Sequence, residues 1–158
     1  MSNSSLIIDC LYSRRSINEA IKIPNTFSTK TQKVLTDYSK SKIPDSVDDF
    51  VDSEYFKNIK KIYKRMEEID VAAEDSLDSE SVKEYKKEFT ALKKEFNAAE
   101  KLYNSLCKKL PGGNWSELPS GSKERVQAIN DYEKSEKLRK KIDKVFYPSS
   151  INISFFKL

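Results

Sequence analysis

Histidine is absent from this chain of 158 residues. Its absence removes the commonest general base near neutral pH and the commonest metal ligand, and with them every Ser–His or Cys–His nucleophile pair. Cysteine occurs twice, as Cys10 and Cys107, far apart and without a Cys-x-x-Cys spacing. The pair reads as two free thiols rather than as a metal site or a disulfide framework. Long apolar runs are missing too. No stretch nears the roughly 20 apolar residues that cross a bilayer, and Leu6-Ile7-Ile8 is cut off by Asp9, too short for a secretory signal. Glycine is scarce. All three, Gly112, Gly113 and Gly121, fall in one stretch together with Pro111 and Pro119. These glycines lack the lysine and the preceding strand of a phosphate-binding loop.

What is present is charge and helical periodicity. Charged residues make up 34% of the chain and apolar residues 37%, the balance expected when each helix buries only a stripe. The net charge of +4 is too mild to imply nucleic acid by itself. Its distribution is uneven: residues 51–80 carry a net −4 and residues 81–110 a net +4. An acidic helix packed beside basic ones accounts for this pattern.

Residues 1–45 are rich in Ser, Thr, Asn and Ile. A weak helix is expected from Ser5 to Ile21, stopped by Pro24. Asn25–Lys42 reads as a short helix or a loop. Together they form an N-terminal arm, weakly helical or partly disordered, ahead of a helical unit over residues 46–158. Ser46 with Asp49 resembles a helix-capping pair.

From Tyr55 the apolar positions harden into stripes. Tyr55, Ile59, Ile62, Met66, Ile69 and Ala73 define a helix over about 53–75. The run Ser76–Ser81 interrupts it, because Ser and Asp compete for backbone hydrogen bonds and favour caps. Val82, Tyr85, Phe89, Leu92, Phe96, Ala99, Tyr103, Leu106 and Leu110 then alternate steps of three and four, predicting a helix over about 80–110. Pro111–Gly121 reverses the chain. Ser122 caps a last helix to about 146, with Val126, Ile129, Tyr132, Leu138, Ile142 and Val145 on one face and a slip in spacing near Ser135. The expected fold is all-α: an antiparallel three-helix bundle with a long coiled-coil-like hairpin and an apolar C-terminal tail.

The carboxylates Glu67 with Asp70, and Glu74 with Asp78, stand one turn apart. Such pairs bind cations or share protons, but a solvated acidic face is the preferred reading. No cofactor, metal or catalytic residue is expected. The expected role is a non-enzymatic protein-protein interaction module, an adaptor, inhibitor or effector-like protein. Candidate contacts are Trp115 at the hairpin tip and Phe155, Phe156 and Leu158 in the tail, whose ending resembles the apolar C-terminal ligands of PDZ domains. Lys137, Arg139, Lys140 and Lys141 form a basic end suited to phosphates or anionic lipid. The alternative is a nucleic-acid-binding or inhibitory accessory protein using basic faces of the last two helices, with Lys86-Lys87 and Lys93-Lys94 contributing. In the sequence these lysines are interleaved with glutamate, which favours a solvated face.

Tyr85-x-x-x-Phe89, the heptads and the run Leu118-Pro119-Ser120-Gly121-Ser122-Lys123-Glu124 resemble the helical occludin/ELL C-terminal domain. The likeness covers under half of the chain and does not place it in that family. The composition of the first residues is similar to export leaders of bacterial secreted effectors. The expected location is therefore cytoplasmic, with delivery into a host cell if the leader-like start is an export signal.

Overall fold

The structure is a computed structural model that describes residues 22–157. Cys10, the helix expected over Ser5–Ile21, and Leu158 lie outside the described residues. Six α-helices follow in order: α1 Thr29–Lys40, α2 Val47–Asp52, α3 Glu54–Asp75, α4 Ser79–Lys108, α5 Lys123–Glu133 and α6 Glu136–Phe146. A short 3₁₀ turn, Trp115–Glu117, bridges α4 and α5. There is no strand among the described residues, so the all-α expectation holds. Among the described residues no helix is long and apolar enough to cross a membrane.

The abundant serines explain where the helices start. Ser28, Ser46, Ser53 and Ser122 each accept a backbone N–H from the first turn of α1, α2, α3 and α5, and Asp78 does so for α4. Each satisfies a donor that the helix itself leaves orphaned. Ser53 also closes α2, donating to the Phe50 carbonyl at 2.8 Å while accepting from Phe56 N at 3.0 Å. One residue thereby ends one helix and opens the next.

The most extensive helix pairing is α3 against α4. Ser76–Asp78 makes the reversal between them in three residues, so the interrupted run is a tight antiparallel turn. The geometry confirms the direction: Arg65 meets Glu88, whereas the earlier Tyr63 meets the later Phe96 at 5.5 Å between ring centroids. Every residue of the Tyr55–Ala73 stripe is buried, as are Phe89 through Leu106 of the second stripe. The close hairpin therefore lies one turn earlier than the one expected around Pro111–Gly121. At that later turn Gly112 adopts φ +77°, and a Cβ there would stand 1.9 Å from the Ala128 carbonyl oxygen. Only glycine lets the loop lie that close to α5.

The last helix divides. α5 ends at Glu133 and α6 starts at Glu136, across the slip in spacing at Ser135. Ser135 Oγ donates back to the Tyr132 carbonyl at 2.9 Å, which competes with continuation of the helix. The redirection matters for burial. α5 buries only Ala128, and Val126, expected on the apolar face, is exposed, whereas α6 buries Ile142 and Phe146.

Residues 22–45 contribute to the core. Phe27, Leu35 and Tyr38 are buried in the cluster shared with α3, on which α1 packs. Phe50 of the short α2 is the hub of the aromatic cluster, with ring centroids 5.3 Å from Phe56, 5.6 Å from Tyr103 and 6.2 Å from Phe146. Offset and edge contacts of this kind add to plain area burial.

A buried polar knot joins α1, α3 and α4. Arg65 donates from Nε to Thr31 Oγ1 and from Nη2 to Ser28 Oγ, both at 2.9 Å, and from Nη1 to Glu68 at 3.0 Å. Glu88, only 5% exposed, accepts from Ser28 N at 3.2 Å, from Ser28 Oγ at 3.0 Å and from Thr31 Oγ1. Its carboxylate lies 3.7 Å from the Arg65 guanidinium. Removing one partner of such a pair strands a buried charge, at about 3–5 kcal/mol. Arg65→Met is therefore expected to lower unfolding free energy in urea by about that amount. Arg65→Met combined with Glu88→Leu should recover most of the loss. Equal stability of Arg65→Met and the unmodified protein would show that the knot is not a structural element.

Candidate functional site

Two surfaces carry organised polar chemistry. The first is on α3. Glu67, Asp70 and Glu74 are spaced by three and four, so they rise along one line of the helix. All three hold the C-terminal tail, Asp70 from a buried position and Glu67 and Glu74 from the rim. Asn152 Nδ2 donates to Glu67 at 2.8 Å and Ser154 Oγ to Glu74 at 2.7 Å. Between them Asp70, 1% exposed, accepts three successive backbone N–H groups: Ser154 at 2.9 Å, Phe155 at 2.8 Å and Phe156 at 3.2 Å. Consecutive amides converge on one carboxylate only where the chain curls, and Lys157 follows at φ +55°. Ile153 is buried below, and the Phe156 ring packs 4.9 Å from that of Phe89 on α4. Glu67, Asp70 and Glu74 thus act as a peptide clamp, and the solvated-face expectation fails at the buried Asp70 while Glu74 and Asp78 stay exposed. Asp78 stands apart from them: the Ser81 hydroxyl and then the Glu80 N–H hold its carboxyl below the usual value.

The second surface is the outer side of α4. Lys83, Lys87, Thr90, Lys94, Asn97 and Lys101 are all exposed and step by four and three, opposite the apolar stripe. Lys83, Lys86, Lys87 and Lys94 border a shallow depression whose floor is Thr90 and Ala91. Of the three glutamates interleaved with these lysines, Glu84 stays at the surface, whereas Glu88 and Glu95 are each 5% exposed. They face inward beside Phe89 and Phe96. Between Lys86 and Lys94 the alternation of charge seen in the sequence is therefore lost at the surface, while Glu80 and Glu84 remain there beside Lys83 and Lys87.

The residues singled out from sequence are not brought together. Trp115 sits half-buried in the 3₁₀ turn, with the Arg125 guanidinium 5.0 Å above its ring. Arg139 is spent internally: it stacks 3.8 Å over the Tyr132 ring and donates to the Tyr132 carbonyl at 2.9 Å. Lys137, Lys140 and Lys141 stay exposed on α6, with Glu136 4.0 Å from Lys140. In the tail Phe156 is partly buried and Phe155 is 44% exposed. Cys107 is buried among Tyr103, Tyr132 and Asp143, and burial pushes its thiol above the ordinary value, away from nucleophilic use. Burial likewise raises Tyr103, whose hydroxyl donates to Asp143 at 2.8 Å.

The Asp70 clamp gives a direct test. A hydrogen bond to a charged acceptor contributes about 1.5–3 kcal/mol net. Asp70→Ala should destabilise by about 2–4 kcal/mol in urea unfolding, since the released amides regain water. It should also open Phe155 and Phe156 to chymotrypsin, read by intact mass. Unchanged stability together with unchanged cleavage would show that the tail is held without the clamp.

Comparison with protein-family models, with curated proteins and with solved structures finds no match to this chain.

Proposed function

We propose that this protein is a non-enzymatic protein-protein interaction module, of the adaptor, inhibitor or effector-like kind, that presents its C-terminal tail to a partner. The observation that carries the reading is how the tail is held. The clamp grips backbone amides and the polar side chains of Asn152 and Ser154. Ile153 and Phe156 face the helices, while Ile151 and Phe155 remain 57% and 44% exposed. Large apolar side chains on an ordered segment are anchors whose ordering cost is met before binding. An unattached tail would lose that entropy on docking. The carboxylates that a catalytic reading would use are engaged as acceptors in the clamp, which supports binding over chemistry.

The test is quantitative capture from a lysate of the source cells by immobilised protein. Proteins retained by the unmodified chain should fall at least about tenfold with the double variant Ile151→Ser/Phe155→Ser, at unchanged melting temperature, since each lost anchor is worth at least ~1–2 kcal/mol. They should stay bound to Leu77→Ser, a substitution at a fully exposed residue in the α3–α4 turn. Equal capture by the double variant would place recognition elsewhere.

A further inference from the structure

The outer face of α4 has a use that tail recognition leaves untouched. From Lys83 to Lys101 its exposed line spans about 27 Å at 1.5 Å per residue. Lys83 and Lys87 form exposed pairs with Glu80 at 3.6 Å and Glu84 at 3.2 Å, contacts that contribute little against solvent. Among the described residues, Lys86, Lys94 and Lys101 have no carboxylate within ion-pair distance. Glu88 and Glu95 are inside the protein. Glu100 is half-buried and lies against the Tyr147 hydroxyl. Between residues 85 and 99 the surface of this helix thus carries positive charge alone, even though a glutamate follows each lysine pair in the chain.

We propose that this face binds double-stranded nucleic acid through its phosphate backbone, without reading sequence. Several features select that occupant. The charge is arranged along a straight, rigid line, complementary to a regular array of phosphates. The charged residues of the line are lysines, point charges suited to phosphate oxygens, with no arginine fork to read a base edge. No aromatic ring lies on the exposed line, so it lacks the stacking platform by which single strands are held. Lysine stems over the Thr90 and Ala91 floor leave the face shallow.

Five lysines, Lys83, Lys86, Lys87, Lys94 and Lys101, set the salt dependence. A slope of log K against log salt of about −4.5 follows, a loss of roughly 500-fold between 50 and 200 mM. The probe is a fluorescein-labelled 20-base-pair duplex of arbitrary sequence, read by anisotropy, beside a single strand of the same sequence and vesicles containing phosphatidylserine. Lys87→Gln/Lys94→Gln/Lys101→Gln should weaken duplex binding at least tenfold and reduce the slope by about 2.7. Lys137→Gln/Lys140→Gln/Lys141→Gln removes the same charge from α6, which packs on the opposite, Phe96 and Tyr103 side of α4. It should stay within about twofold of the unmodified protein, as expected of charge removed outside the contact face. Circular dichroism melts check that both variants fold as the parent does. Equal weakening by both triple variants would reduce the effect to net charge and overturn the proposal. So would absence of duplex binding at 50 mM salt, tighter binding of the single strand, or binding of vesicles alone.

Discussion

The buried carboxylate of Glu88 is the constraint around which the molecule is organised. A carboxylate out of water needs donors from every side. The chain supplies them from two helices: Ser28 and Thr31 at the start of α1, and Arg65 on α3. Satisfying one group fixes the depth of α1 against the hairpin and the register of α3 on α4. It also decides the outer surface. With Glu88 drawn in, its carboxylate is removed from the lysine face, and of the lysines beside it Lys87 is left paired with Glu84.

A second consequence is a division of labour around α3. One side takes the polar knot, through Arg65. The other takes the tail, through Glu67, Asp70 and Glu74. The apolar stripe between them meets α4. Among the acidic residues of 51–80, Asp52, Glu54, Asp75, Asp78 and Glu80 face solvent. Glu67, Asp70 and Glu74 instead supply acceptors for a segment that arrives more than seventy residues later in the chain.

The helices themselves were legible because periodicity is a local property. The stripes from Tyr55 and from Val82 predict the boundaries of α3 and α4 to within two residues at each end. Ser46 and Ser122 cap as their sequence contexts imply. The slip at Ser135 does end a helix. What could not be read is what depends on distant partners. Asp70 is matched by backbone amides, which leave no mark in side-chain identity. Phe50 sits in a helix of six residues, too short for a stripe, yet it centres the aromatic cluster. The inward turn of Glu88 and Glu95 did leave a signal. They are seven apart and immediately precede Phe89 and Phe96, so a helical projection sets them at the margin of the apolar seam. Counting charges along the chain hides this, because adjacency in sequence is not adjacency on a helix.

The manner in which the tail is fastened also governs how the protein answers to mechanical load. The three amides at Asp70 lie in sequence along the tail. Tension applied beyond Phe156 meets them one after another, Phe156 first, then Phe155, then Ser154. That is peeling rather than shearing, and the bonds break singly instead of sharing the force. Traction from that side, such as an unfoldase exerts, strips the tail at low force and next reaches α6. The α3–α4 hairpin and its polar knot lie further along the chain from that end, beyond α6 and α5.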